Sequence, residues 1–189
     1  MRKIAIVGNI ASGKSEVEKY LLNNDYVIFD TDMMTHDILM DKPDVAVAFE
    51  GYDVFEHGRL SKEKLGKLVF SNQDLKEKLE DIVHPLIRQE IEIAFKVYST
   101  EKYVFISVPL LFEVGWEPLF DKIMFIQADD ELRLNRLMKR NGFSKEEALL
   151  RINSQQKQDS KAQKADYVIT NNSSLESLYN QLDDILKAL

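Results

Sequence analysis

Residues Gly8–Ser15 read Gly-Asn-Ile-Ala-Ser-Gly-Lys-Ser, and they follow an apolar run, Lys3–Val7, that predicts a buried strand. After them, Val17, Tyr20 and Leu21 recur at the spacing of one helix face. The octapeptide fits G-x-x-x-x-G-K-[ST], a glycine-rich turn that joins a strand to a helix. The feature therefore predicts an α/β chain that starts with strand, loop and helix.

This loop predicts a site for nucleotide phosphates. Its backbone N–H groups and the N-terminus of the following helix favour anions. Lys14 supplies a positive charge for the β- and γ-phosphates, and the Ser15 hydroxyl can ligate Mg²⁺. The alternative is a chance match at an ordinary strand–helix turn. The predicted nucleotide-binding residues of the loop are Gly8, Asn9, Ile10, Ala11, Ser12, Gly13, Lys14, Ser15 and Glu16.

Composition limits the classes of partner and the compartment. A chain of 189 residues suits one compact domain over 1–189. It has no cysteine, which excludes disulfides and thiolate chemistry and is typical of a reducing cytoplasm. The net charge of −7 argues against nucleic acid as a partner. The sequence shows neither a signal-peptide pattern nor an apolar run of membrane-spanning length, so we expect a cytoplasmic protein without a membrane partner.

Four further apolar runs predict strands. They are apolar throughout rather than alternating, which favours a parallel sheet covered on both faces. Helical patterns lie between most of them, as in right-handed βαβ units. The runs are Tyr26–Phe29, Tyr103–Val108, Lys122–Ile126 and Tyr167–Thr170. Together with the first run they predict a five-stranded parallel sheet in a three-layer α/β fold.

Residues 59–98 interrupt the alternation of strand and helix. Ser61 can cap a helix, and apolar residues recur at helical spacing on both sides of Pro85. We expect Pro85 to end or kink a helix just after His84. Several helices exceed a simple crossover, so the stretch predicts an inserted helical subdomain. Near the C-terminus, Ser173-x-x-Glu176 fits a capping box that opens a final amphipathic helix from Leu175 to Leu189.

Asp30-Thr31-Asp32 follows the second predicted strand. In an open α/β sheet this end of the strand faces the ligand crevice. One carboxylate there could accept the proton of a substrate hydroxyl in phosphoryl transfer. The alternative is an N-cap for the helix that begins near Met33, and one aspartate could serve each purpose.

A basic segment follows the fourth predicted strand. Residues 131–164 contain nine Lys and Arg against four Asp and Glu. Arg133, Arg136 and Arg140 share a helix face, and guanidinium groups suit phosphate oxygens. After Gly142, a second capping box begins at Ser144 and opens a helix that carries Arg151 and Gln155. Residues 138–158 therefore predict a lid that closes over phosphates, with a charged surface hairpin as the alternative.

These segments, in this order, resemble the dephospho-coenzyme A kinase family over nearly the whole chain. The loop Gly8–Ser15 alone indicates only a nucleotide binder, whereas His84–Ile87 and Val108–Glu113 are more specific. By itself His84, at a predicted helix end, is more often structural than a ligand. The remaining matches are Val27–Asp32, His36, Met138–Arg140, Arg151–Gln155, Lys161, Ala165–Ile169 and Asn171.

The resemblance implies a P-loop nucleotide kinase fold with a helical substrate subdomain and a lid. It also implies ATP- and Mg²⁺-dependent phosphorylation of the ribose 3′-hydroxyl of dephospho-coenzyme A, the last step of coenzyme A biosynthesis. Asp32 then resembles the general base, Arg140 the lid arginine at the transferred phosphoryl group, and Lys14 a catalytic phosphate ligand. By the same resemblance, Asn171 lies near the adenine, and the residues on the substrate side are Asp32, His84, Pro85, Arg88 and Glu113.

The sequence departs from the family pattern in the loop. Asn9 and Ala11 stand where glycine is common, and Glu16 stands where threonine is usual. If the position of Asn9 needs a positive φ, asparagine is the best replacement, and we expect the change at Ala11 to be milder. The alternatives to the family's function are another small-molecule P-loop kinase, for nucleosides, nucleotides or sugars, and a regulator that binds ATP without transfer.

Overall fold

The computed structural model describes residues 1–189 and divides them into two compact units. The first unit comprises Met1–Phe29 and Tyr98–Leu189. The second unit, Asp30–Val97, is inserted in the sequence between two strands of the first.

A five-stranded sheet forms the centre of the first unit. It comprises β1 (Arg2–Gly8), β2 (Val27–Asp30), β5 (Tyr103–Ser107), β6 (Lys122–Gln127) and β7 (Tyr167–Thr170), in the spatial order β2-β5-β1-β6-β7. Parallel pairing joins β1 to both β5 and β6, with Ile4 opposite Phe105 and Ile6 opposite Met124. These four side chains are fully buried, as expected for strands covered on both faces. All five predicted strands are confirmed, with bounds that differ by at most one residue.

Helices flank this sheet. One buried cluster joins Val17 and Leu21 of the first helix to Leu178 and Leu182 of the last, together with side chains of four strands. The helices of this unit are α1 (Lys14–Asn23), α6 (Asp130–Asn141), α7 (Lys145–Asn153), α8 (Gln158–Ala162) and α9 (Leu175–Ala188), with a short 3₁₀ turn at Glu117–Leu119. The arrangement places the loop between β1 and α1 at the carboxyl edge of the sheet.

The N-cap of the final helix lies one residue later than predicted. Ser174, not Ser173, is the N-cap of α9, and its hydroxyl accepts a hydrogen bond from the Ser177 N–H at 3.2 Å. Ser173 and Ser174 are both favourable N-cap residues, so the sequence pattern did not distinguish between them. Leu175 is half exposed, so it lies outside the predicted stripe.

The second unit is mainly helical. It contains α2 (Thr31–Asp41), α3 (Pro43–Ala48), the hairpin strands β3 (Phe55–Glu56) and β4 (Arg59–Leu60), α4 (Lys62–Phe70) and α5 (Gln73–Val97). The helices α2, α3 and α4 all contact α5, which explains why the unit begins at Asp30 and exceeds the predicted stretch 59–98. Ser61 caps α4 as predicted.

The helix α5 continues through Pro85, so the helix does not end after His84, whereas a kink at this position, the other predicted outcome, stays a prediction. Proline removes one helical hydrogen bond, at a cost of about 3 kcal/mol. Here Pro85 is exposed, so water can reach the freed carbonyl, while Val83, Ile87 and Ile91 are buried along the opposite stripe. None of the helices combines the length and the apolar character that crossing a membrane requires.

Candidate active site

The glycines of the loop are required by close contacts. A Cβ added at Gly8 would lie 2.6 Å from the Ser12 hydroxyl oxygen and 3.1 Å from the Ile126 carbonyl oxygen. Gly13, the N-cap of α1, has φ +102°, and a Cβ there would lie 2.0 Å from Nδ2 of Asn171. Only glycine therefore lets the chain turn this tightly from β1 into α1.

The left-handed residue between these glycines is Ala11, with φ +60°. Asn9 is not among the residues with positive φ, so the condition stated for asparagine at this position is not met. The prediction that Ala11 is the milder change is wrong, because Ala11 adopts the strained left-handed conformation. Asn9 is instead buried, and its side-chain N–H donates to the Gln156 carbonyl at 2.8 Å. The asparagine thus fastens the start of the loop to the segment that follows α7.

Two arginines of α6 hold the carbonyl groups of the loop. Arg133, 2% exposed, donates from Nε to the Ile10 carbonyl at 2.9 Å and pairs with Asp130 at 2.7 Å. Arg136 donates to the Ala11 carbonyl at 3.3 Å. The sequence indicated that these arginines share a face, but it assigned that face to phosphate oxygens. The Ile10 and Ala11 carbonyl groups are therefore paired with guanidinium groups and do not face an anion bound by the loop.

Two side-chain amides complete this frame. The Gln155 side-chain oxygen accepts from the Ile10 N–H at 2.7 Å. Asn171, which follows β7, donates from Nδ2 to the Ser12 carbonyl at 2.9 Å, and its own carbonyl accepts from Arg136 at 2.9 Å. The structure thus gives Asn171 a role in fixing the loop, and its proximity to an adenine stays a prediction.

The loop fits a polyphosphate. No side chain caps α1, so the positive end of this ten-residue helix is available to an anion. The buried Ser12 hydroxyl has no hydrogen-bond partner within the protein and can donate to a phosphate oxygen, whereas Oδ1 of Asn9, also without a partner, can only accept a hydrogen bond. A polar cleft of about 570 Å³ opens beside Asn9, between the carboxyl ends of β6 and β7 and the segment after α7.

The side chains at the start of α1 are paired within the protein. The Lys14 ammonium donates to the Ser107 hydroxyl and forms an ion pair with Glu18 at 2.5 Å. Ser15 is exposed in the first turn. Glu16 pairs with Lys19 at 2.8 Å, so its charge is partly compensated.

The two aspartates after β2 separate into two roles. Asp30 is the N-cap of α2, and its side chain accepts from the Asp32 N–H at 2.8 Å. Asp32 lies in the first turn of the helix with an exposed side chain. Asp30 therefore caps the helix, and Asp32 is the candidate to accept the proton of a substrate hydroxyl.

The predicted lid is a helical hairpin. Gly142 ends α6 with φ +68°, and both hydrogen bonds of the capping box between Ser144 and Glu147 are present at the start of α7. Arg140 lies in the last turn of α6, where its Nε donates to Asn141 at 2.9 Å. The helix α7 ends at Asn153, so Gln155 lies beyond it, contrary to the prediction. Because Gln155 lies outside the helix, its side chain can accept the hydrogen bond from the Ile10 N–H of the loop.

An apolar cluster joins this hairpin to the loop. Leu137 of α6 and Ala148 and Ile152 of α7 are buried together, and Ile10 and Ala11 pack against them. Ile10 and Ala11 of the loop are therefore part of the packing between the two helices.

Three predicted substrate residues lie on α5 in the second unit. His84 is partly buried, whereas Pro85 and Arg88 are exposed. Arg88 forms an ion pair with Glu92 at 3.4 Å, one turn along the same helix. Their contact with a substrate stays a prediction.

Glu113 has a partner that the sequence did not suggest. Its carboxylate lies 2.7 Å from the ammonium of Lys161, which is 1% exposed, and that ammonium makes no hydrogen bond of good geometry. The two residues join the segment after β5 to α8. Because they lie far apart in the sequence, no local pattern identifies the pair, and the structure gives Glu113 a structural role.

Comparisons with known proteins agree with this geometry. A family model described as dephospho-CoA kinase matches residues 2–177. A dephospho-CoA kinase of Listeria innocua is 39% identical over 96% of this chain and 94% of its own length. Among solved structures, TT1252 from Thermus thermophilus superposes with a TM-score of 0.84 and 34% identity, over 100% of this chain and 97% of that one. A dephospho-CoA kinase from Campylobacter jejuni gives a TM-score of 0.77 and 28% identity, over 98% and 95%.

Proposed function

This chain belongs to the dephospho-CoA kinase family, and we propose that it transfers the γ-phosphoryl group of ATP to the ribose 3′-hydroxyl of dephospho-coenzyme A. The observation that supports this most directly is the loop Gly8–Ser15 between β1 and α1, whose backbone is turned to bind an anion. A match over residues 2–177 extends the support to the substrate and lid segments.

In the proposed reaction, a bond forms between the 3′-oxygen and the γ-phosphorus while the bond from that phosphorus to the β-phosphate oxygen breaks. Asp32 accepts the proton of the 3′-hydroxyl, and ADP leaves. The loop N–H groups and Lys14 hold the phosphates, and Arg140 compensates the charge on the transferred group. Ser15 would hold Mg²⁺, which would supply positive charge to offset that of the phosphates.

The remaining predicted residues are assigned to binding. Asn171 holds the loop and lies on the adenine side, whereas His84, Pro85 and Arg88 lie on the coenzyme side. Glu113 would act on the substrate through the segment that it fixes to α8. We infer that the partner is this small molecule, with neither nucleic acid nor a membrane involved.

The test is ADP release with ATP and Mg²⁺, after separate addition of dephospho-coenzyme A, adenosine, AMP and a sugar. We expect release only with dephospho-coenzyme A, and a product phosphorylated at the 3′ position. Release with another acceptor would assign a different small-molecule kinase. ATP binding without release for any acceptor would assign a non-catalytic regulator.

A further inference from the structure

The ammonium of Lys14 is already occupied in this structure. It contacts the Ser107 hydroxyl at the end of β5, and it lies 2.5 Å from a carboxylate oxygen of Glu18, one turn further along α1. A lysine ammonium has three donors and no acceptor. Two of the three are thus used within the protein, and one of them faces a negative charge.

The pair with Glu18 differs from the other ion pairs between neighbouring turns of a helix. The Lys14 and Glu18 side chains are 16% and 17% exposed, whereas those of Lys67 and Glu63 in α4 are 75% and 77% exposed. Water screens an exposed pair strongly and a partly buried pair much less. The Lys14–Glu18 attraction is therefore large enough to influence what else the ammonium can bind.

We propose that Glu18 competes with the nucleotide phosphates for Lys14 and so lowers the affinity of the loop for ATP. This inference rests on the proposed function in one respect, that ATP is the phosphoryl donor. When ATP binds, Lys14 either leaves Glu18 for a phosphate oxygen or holds both, which brings a carboxylate close to the phosphates. Each outcome costs binding free energy, because either an ion pair is broken or like charges approach one another.

Glu16, the other acidic residue near the start of α1, does not have this effect. Its carboxylate pairs with Lys19 at 2.8 Å, and both side chains are more exposed. Glu18 is thus the acidic side chain of α1 that contacts the loop lysine directly. It is a positioning residue, since it acts on the phosphates through Lys14.

The test is calorimetric titration of the protein with ATP and Mg²⁺ in the absence of any acceptor. Glu18→Gln keeps the shape of the side chain and removes its charge, and we expect its Kd for ATP to fall about 3- to 10-fold. Glu18→Ala should tighten binding in the same direction. Asp184→Asn, in the exposed pair with Lys187 on α9, removes one charge without contact to the loop, so its Kd should equal that of the wild type.

A second background isolates the role of Lys14. We expect the variant Lys14→Met to bind ATP more weakly. Adding Glu18→Gln to it should not lower the Kd further, because the ammonium for which Glu18 and the phosphates compete is absent. An unchanged Kd for Glu18→Gln in the wild-type background would overturn the inference. A raised Kd would also overturn it, and would instead identify Glu18 as a residue that holds Lys14 ready for phosphate. If the wild-type protein bound no ATP, the proposed function itself would fail, and this inference with it.

Discussion

Ala11 shows how one residue can carry strain at a binding loop. Its φ of +60° lies in the left-handed region, which costs an L-residue with a Cβ about 1–2 kcal/mol. Its methyl group packs with Ile10 against the cluster of Leu137 and Ile152, which offsets part of that cost. At this position the unfavourable backbone conformation is thus partly offset by apolar packing.

Ala11→Gly relieves this strain and loses the methyl contact, while the unfolded chain gains freedom. We expect the free energy of unfolding to rise by about 0.5–1 kcal/mol, measured as a higher urea midpoint at constant slope. Gly13→Ala should lower the midpoint, because the added Cβ meets the Asn171 amide. A lower midpoint for Ala11→Gly would mean that packing outweighs strain.

Asp30 and Asp32 form a natural pair of variants, since the structure assigns capping to Asp30. Asp32→Asn should lower turnover about 10²- to 10⁴-fold, the usual contribution of a general base. Asp30→Ala should lower the free energy of unfolding by about 1 kcal/mol through loss of the cap. Steady-state kinetics and urea unfolding separate the two effects. Near wild-type turnover of Asp32→Asn would remove Asp32 from the mechanism.

At the level of elements, α6 acts on the loop at its start and, by our proposal, on the phosphoryl group at its end. Arg133→Met leaves the Ile10 carbonyl without its donor, and it should lower the free energy of unfolding by about 1–3 kcal/mol. Arg140→Ala removes an exposed side chain, so we expect nearly unchanged stability and a larger loss of turnover than of ATP affinity. The two variants serve as controls for each other in unfolding and kinetic measurements. Unchanged turnover in Arg140→Ala would reject the proposed role of Arg140 at the transferred phosphoryl group.

A tyrosine joins the first and last helices. The hydroxyl of Tyr20 on α1 donates to Asp183 on α9, and this hydrogen bond, with a smaller effect of burial, raises the pKa of Tyr20 to about 12. The unfolded tyrosine titrates near 10, so above pH 10 only the unfolded state loses the proton readily. The stabilisation is therefore complete below pH 10 and is lost between pH 10 and 12.

Urea unfolding over this alkaline range checks the effect. The free energy of unfolding of the wild type should fall more steeply between pH 10 and 12 than that of Tyr20→Phe, which lacks the titrating group. Parallel profiles for the two proteins would contradict the role of the Tyr20 hydrogen bond.

At the scale of the whole molecule, the ion pair of Glu113 and Lys161 joins two segments that are distant in sequence, and its ammonium is almost fully buried. Glu113→Gln leaves the Lys161 ammonium buried without its counter-charge, and we expect a loss of about 3–5 kcal/mol in the free energy of unfolding. The double variant Glu113→Gln with Lys161→Met should recover most of it. A stable single variant with a raised KM for the acceptor would instead support direct substrate contact by Glu113.

The sequence predicted features that depend on neighbouring residues, and it missed contacts between residues that are distant along the chain. Continuous apolar runs identified the five strands, and local spacing identified the loop, the Ser144 capping box and the Ser61 cap. The partners of Arg133 and Glu113 are distant in sequence, so no local pattern reveals them. At Ser173, two adjacent serines carried the same capping signal, and at Pro85 the local helix-breaking signal did not end a helix whose apolar stripe is buried.

The bond from the Ile10 N–H to Gln155 has a consequence for motion. Because Ile10 also packs among the residues of α6 and α7, the loop cannot open while the hairpin and the segment behind it stay in place. The amide hydrogen of Ile10 can exchange with solvent only when the segment that carries Gln155 moves away and the hydrogen bond between them breaks. We therefore expect the loop and the hairpin to open as one cooperative unit, so that a nucleotide that orders either of them slows the opening of both.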